Sequence, residues 1–448
     1  MPACAPVTAA VRLAYVLRHF WLVYEEEPEI SIGYADNEPA VLVADAAESF
    51  FETNKPFPTA PNWREWRGHA VPFFFDAAPV ETLLKPGDGT AYIAADIVSA
   101  AFYLLSGWQE YFSDARDRHG RFPYAASVQK EYGFVTMPVV NYYFDVLKTA
   151  VEHVTGQPLK IRPWREGAPF AAFISHDIDN LRSAWKAPAK AALKQGQVLR
   201  FAQLLRRHLT QADAWDNLEV VAAETAKYGG KSTFFILPEH RPGEDGTPNA
   251  DYKVSPKLWH RLENLEQEGC EIGLHGSIGT ATSARRLATE GEDFVTVIPG
   301  LRFHYLRWEP RQTPAVIDAA QRFHYDSTLG FAEHFGFRHS FCHPFFPFNF
   351  ATGEAHSFLE IPLNVMDATL HHPNYLQLRA DEILPALQPM LSQIERFGGV
   401  VSVLWHNENF DLANTSNGPR EFAAIMEDLQ QRGAAFMTGS ELVEAART

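Results

Sequence analysis

Asp177 and Asp179 stand two residues apart at the end of the apolar run Ile174-Ser175-His176-Asp177-Ile178-Asp179-Asn180. If the chain stays extended there, both carboxylates point to one face. Two ionised carboxylates that close repel each other unless a metal or a basic residue compensates them. The pair therefore predicts a metal-binding or proton-transfer site. The competing reading is a helix cap followed by an exposed acid, since Asp and Asn are common N-caps. Further on, His275 follows Glu271 to Leu274, Arg302 and His304 follow a run that starts at Thr296 to Ile298, and His406 follows the apolar run of residues 400–405. All six polar groups fall at or just after the C-terminal end of a predicted strand, which is where parallel sheets and barrels present chemistry.

Strand-like and helix-like patterns alternate through residues 166–448. Residues 171–178 read as a strand, followed by long helical patterns to about Lys227 and a stop at Gly229-Gly230. Residues 232–237 form a short bulky strand, and Ser255-Pro256 is a cap and first-turn pair for a helix running to Gly269. Residues 358–363 and 400–405 are further strands. Repeated βα units over this length predict a distorted (β/α) barrel or an open parallel sheet. Ahead of it, the Pro-rich stretch 157–169 marks a boundary near residue 165. Residues 1–165 show two amphipathic helices, 96–111 and 137–153, and a Pro-, Trp- and Phe-rich segment at 51–75. They read as a smaller mixed α/β domain with no recognisable chemistry.

The chain has 448 residues, 46% of them hydrophobic and 21% charged, values that allow a large core. A formal net charge of −16 argues against non-specific nucleic-acid binding and leaves a neutral or cationic glycan open. Cys4, Cys270 and Cys342 are odd in number and lack C-x-x-C spacing, which suits a reducing compartment. No apolar run reaches the roughly 18 residues of a membrane span, and Arg18 and His19 interrupt the apolar N-terminal stretch. A cytoplasmic location is expected.

From about residue 170 to 448 the chain resembles the polysaccharide deacetylases of carbohydrate esterase family 4, the NodB-homology group, whose fold is a distorted (β/α) barrel. His176-Asp177-Ile178-Asp179 is similar to the family's opening Asp-Asp or Asp-x-Asp motif, which implies Asp177 as catalytic base and Asp179 as metal ligand. Ser232-Thr233-Phe234-Phe235 resembles the second strand. The segment His275-Gly276-Ser277-Ile278-Gly279 resembles the family's His-x-x-x-His pair of ligands, with Gly279 in place of the second histidine. Arg302-Phe303-His304-Tyr305 is similar to an Arg-Pro-Pro-Tyr motif, implying that Arg302 pairs with the base and that the Tyr305 backbone N–H binds the oxyanion. Tyr325-Asp326-Ser327-Thr328 resembles the fourth motif more loosely. Leu404-Trp405-His406 resembles the closing Leu-x-His, implying His406 as the acid for the leaving amine.

That resemblance implies a metal-dependent hydrolase that removes an acetyl group from an amide, or an ester, of a carbohydrate. Zinc suits a mixed carboxylate and imidazole site with an open position. Asp179 and His275 supply two ligands. With Gly279 unable to coordinate, His304 is the leading third ligand, and His176 and His406 are further candidates. Asp326 is a candidate to orient His406, with a turn role as the alternative. The Phe-rich stretch 337–350, with His339, Cys342 and His343, reads as a packed loop over the site rather than a soft-metal centre. The alternative function is a catalytically inactive carbohydrate-binding or structural relative that has lost the metal along with the second histidine.

Overall fold

The computed structural model describes residues 4–292, 294, 298–414 and 418–447. Ala171–Ile178 (β1) is buried along its whole length, as expected of a parallel strand covered on both faces. It pairs in parallel with Thr233–Ile236 (β2), and parallel pairing continues through Glu271–Gly276 (β3), Gly300–Phe303 (β4), Tyr325–Asp326 (β5) and Leu359–Glu360 (β6). In the other direction Val365–Met366 (β7) pairs with Val400–Leu404 (β8), and β8 pairs with β1. Ala435–Phe436 (β9) takes the first two residues of β1, while β2 takes the last four.

This is a distorted (β/α) barrel, and the distortion has a cause in the chain. Among the described residues no pairing joins β6 to β7. Only residues 361–364 separate them, and parallel neighbours need a crossover of about a dozen residues or more. The predicted strand 358–363 is accordingly cut short at Glu360. The predicted strand start at Thr296 lies outside the described residues, and the strand that carries Arg302 begins at Gly300.

The long helical pattern after β1 is three helices, Lys186–Lys194, Val198–Thr210 and Leu218–Ala226. Pro256–Gln267 begins as predicted, with Ser255 Oγ accepting from the Leu258 N–H at 3.2 Å. No helix of the described residues is long and apolar enough to cross a membrane.

Ahead of the barrel lies a smaller mixed α/β part. Ile32–Gly33, Val41–Val43, Ala91–Ile93 and Leu84–Pro86 form its sheet in that order; Val139–Thr155 packs on the sheet, Ile97–Leu105 on that helix and Ala9–Leu22 on Ile97–Leu105. The predicted helix 96–111 is broken at Gly107, whose φ of 70° is left-handed and whose missing side chain leaves room for the His339 ring. One apolar core runs through both parts. The Phe-rich stretch 337–350 is a packed loop, but its partners are N-terminal helices rather than the site. Arg338 makes a buried two-pronged ion pair with Glu110, His339 bonds to the Leu105 carbonyl, and Cys342 N–H donates to Asn141.

Candidate metal and catalytic site

Strand alternation decides which residues of β1 can act. Ser175 and Asp177 reach Arg302, whereas His176 points away, with Nδ1 against the Trp405 carbonyl at 2.7 Å and Nε2 against Ser232 Oγ at 3.0 Å. That excludes His176 as a ligand. Burial then holds its pKa down at about 4, as expected of a neutral core imidazole.

Arg302 is wholly enclosed. Its Nη1 donates to Asp177 Oδ1 and to Ser175 Oγ, both at 2.9 Å, while Nε donates to the Ser327 carbonyl at 2.7 Å and Nη2 to Ser327 Oγ at 3.0 Å. The guanidinium also lies over the Phe235 ring, 4.5 Å from its centroid. A buried cation needs this degree of satisfaction to be tolerated. The result fixes one oxygen of Asp177 and leaves Oδ2 facing His275 Nε2 at 3.6 Å.

His275 and Arg302 are register partners on β3 and β4, so their side chains emerge side by side. His275 Nδ1 donates to the Arg302 carbonyl at 2.9 Å. His304 Nε2 donates to the Pro248 carbonyl at 3.2 Å. Those two bonds leave His275 Nε2 and His304 Nδ1 as lone-pair nitrogens, and they face each other at 3.1 Å. Asp179 Oδ1 lies 3.3 Å from each and has no hydrogen bond of its own. Three acceptors therefore converge, all within 4.8 Å of one another. Such a cluster calls for a cation at its centre, either a proton or a metal, and the donor set of one carboxylate and two carbonyl-anchored imidazoles fits zinc. With imidazolium at the site instead, burial acts to raise the Asp179 pKa, but His304 and His275 outweigh it and hold that carboxyl well below its ordinary range. For His275 burial lowers and the two aspartates raise, with a net upward shift.

His406 comes off β8 and turns Nε2 toward Asp179 Oδ2 at 3.8 Å. Its Nδ1 is 2.7 Å from Asp367 Oδ1, and its backbone N–H donates to Asp367 Oδ2 at 2.6 Å. Against the lowering effect of burial, Asp367 drives the imidazole pKa well above its usual value. Asp367, not Asp326, is thus the group that orients His406. Asp326 is spent on Thr328, accepting from its N–H and hydroxyl at 2.9 Å each. Val365-Met366-Asp367 repeats the signal that marks the other site residues, an apolar strand delivering a polar group. It escapes notice because the strand is only two residues long.

Tyr305 follows His304 with a left-handed φ of 59°, uncommon for a residue with a bulky side chain. Its ring stacks on His119 with centroids 4.9 Å apart, and its carbonyl accepts from Arg121 Nη1 at 2.9 Å. Arg116 grips Glu309 with two bonds, and Arg311 reaches the Tyr111 and Ser113 carbonyls. The segment after β4 is therefore braced by residues 111–121 of the N-terminal part, an arrangement with no local sequence signal. Gly279 sits at a left-handed φ of 93°, where a Cβ would meet Arg286 Nη1 at 2.6 Å, so that turn favours glycine.

Residues 9–156 match a family of unknown function, DUF7033. No curated protein sequence matches the chain. Three solved structures are similar to its larger part, each covering 63% of this chain. They are a Mycobacterium smegmatis protein assigned as a polysaccharide deacetylase (15% identity, TM-score 0.42, 92% of that chain), the allantoinase Puue (12%, 0.41, 91%), and a Pseudomonas aeruginosa PAO1 protein assigned as a polysaccharide deacetylase (11%, 0.42, 92%).

Proposed function

We propose that the chain is a metal-dependent hydrolase that removes an acetyl group from an amide, or an ester, of a glycan or glycan precursor in the cytoplasm. Residues 166–448 carry the chemistry, and residues 1–165 hold the segment after β4 in place. The observation that carries this reading is the meeting of Asp179 Oδ1, His275 Nε2 and His304 Nδ1 around an acceptor without a partner, beside Asp177 and His406. The motif order along the barrel strands supports the carbohydrate substrate.

Asp179, His275 and His304 would hold the ion, and a bound zinc supplies Lewis acidity to an acyl oxygen and acidity to water there. Asp177, anchored through Oδ1 by Arg302, accepts the proton of the attacking water. The water oxygen bonds to the acyl carbon, and the Tyr305 N–H stabilises the charge that develops on the acyl oxygen. His406, held as imidazolium by Asp367, donates its proton to the leaving nitrogen as the C–N bond breaks. Acetic acid and an amine leave, and the proton on Asp177 restores the imidazolium.

Purified protein, dialysed exhaustively, is expected to retain close to one transition-metal ion per chain and to release acetate from an N-acetylated oligosaccharide. Folded protein that neither contains nor takes up metal removes the proposal.

A further inference from the structure

Between Asp179 and Asp213 the chain carries Arg182, Lys186, Lys190, Lys194, Arg200, Arg206 and Arg207, and none of the 55 acidic residues of a protein whose net charge is −16. This stretch folds as the hairpin of Lys186–Lys194 and Val198–Thr210. Lys186, Lys190 and Lys194 recur every four residues and so share one stripe of the first helix. Like charges at that spacing weaken an isolated helix, so local stability does not account for them. None of the 13 residues of the second helix is buried. Leu193, Val198, Leu199 and Leu209 are 53%, 67%, 83% and 73% exposed, four of the ten exposed large apolar side chains among the described residues. The first three flank the turn of the hairpin, with Lys194 and Arg200 next to them.

The base of the hairpin borders the site. Lys186 and His208 line a groove of about 680 Å³ together with Arg182, Lys253 and Lys257. The acids of this groove are already engaged. Asp251 accepts from the Leu181 and Arg182 N–H groups, Asp216 pairs with Arg261, and Asp213 accepts from the Ala184 and Trp215 N–H groups. Asp251 N–H in turn donates to the Asp179 carbonyl at 3.2 Å.

We infer that the hairpin of residues 186–210 docks the protein on an anionic phospholipid surface, with the apolar tip entering the headgroup layer and the lysine stripe facing the lipid phosphates. A helix that joins basic side chains with exposed leucines is the pattern of an interfacial element. A nucleic-acid backbone would satisfy the cations but leave Leu193, Val198 and Leu199 in water. Docking there brings the groove at the base of the hairpin toward the membrane surface. The inference is independent of whether the site hydrolyses anything.

The test is co-sedimentation of the full chain with vesicles of phosphatidylcholine alone or enriched in phosphatidylglycerol, at low and high salt. Binding is expected only to the anionic vesicles and should weaken with salt. Lys190→Gln with Lys194→Gln should weaken it by more than about tenfold, at roughly fivefold per cation. Leu193→Ser with Leu199→Ser should weaken it at unchanged charge. Both pairs are solvent-exposed, and an unchanged thermal midpoint shows that each variant folds. Equal binding to neutral vesicles, no binding to anionic ones, unaltered binding by the lysine variant, or binding of an RNA oligonucleotide in place of vesicles overturns the inference.

Discussion

Two carboxylate clusters sit at the same end of the barrel strands, and each leaves one buried oxygen without a hydrogen-bond partner, Asp179 Oδ1 in one and Glu360 Oε2 in the other. Around Asp179 stand two imidazole nitrogens, with His406 close by and Arg302 on the neighbouring Asp177. Glu360 faces a second acid, Asp326. There, burial pushes the Asp326 carboxyl up to about 6, and burial together with Asp326 pushes Glu360 well above its ordinary range. That pair is stabilised by keeping a proton. An orphaned acceptor therefore does not by itself mark a ligand site. What separates the two clusters is the chemistry facing the orphan, lone-pair nitrogens in one case and another acid in the other.

The comparison breaks most visibly if the cations around Asp177 are dispensable. Arg302→Met removes the partner of a buried carboxylate and is expected to cost about 3–5 kcal/mol of stability in denaturant unfolding. A loss below about 1 kcal/mol would mean that Asp177 is solvated some other way. Next in size is Asp177→Asn, which should retain metal yet lower acetate release by on the order of 10² or more. Equal loss of metal would make Asp177 a ligand instead of the base. His304→Ala should weaken metal binding by at least about tenfold, measured by competition with a chelator. Unchanged affinity would leave Asp179 and His275 to bind the ion with some other donor.

The smallest effect sharpens the other side. Because burial raises both carboxyls above their unfolded values, Glu360 most, the native pair holds a proton that the unfolded chain has already released. Its contribution to stability is full below the ordinary carboxylate range and is lost as pH rises through the raised range of the pair. Glu360→Gln keeps a neutral donor beside Asp326. Its stability should match wild type within about 1 kcal/mol at pH 5, and relative to wild type it should gain between pH 5 and pH 8. A variant that tracks wild type across that range would show that the pair is not the proton-holding unit.

Legibility in the sequence followed element length. β1, with eight residues, and β8, with five, announce themselves as apolar runs, so Asp177, Asp179 and His406 could be found at their ends. β7 has two residues, and the acid it delivers, Asp367, was invisible for that reason. For Asp326 the sequence leaves two roles open, orienting His406 or holding a turn, and its bonds to Thr328 are those of the turn. His176 was open as a ligand until strand alternation turned it to the opposite face.

By itself the sequence determined the repeating βα pattern and the polar groups at strand ends, because these depend on period and residue type within a few neighbours. The tertiary structure alone decided which nitrogens of His275 and His304 are free, since that depends on carbonyls of Arg302 and Pro248. It also decided that the segment after β4 is braced by Arg116, Arg121 and His119, residues nearly two hundred positions away. Contacts between such distant positions follow from how the layers pack, and local periodicity carries no record of them.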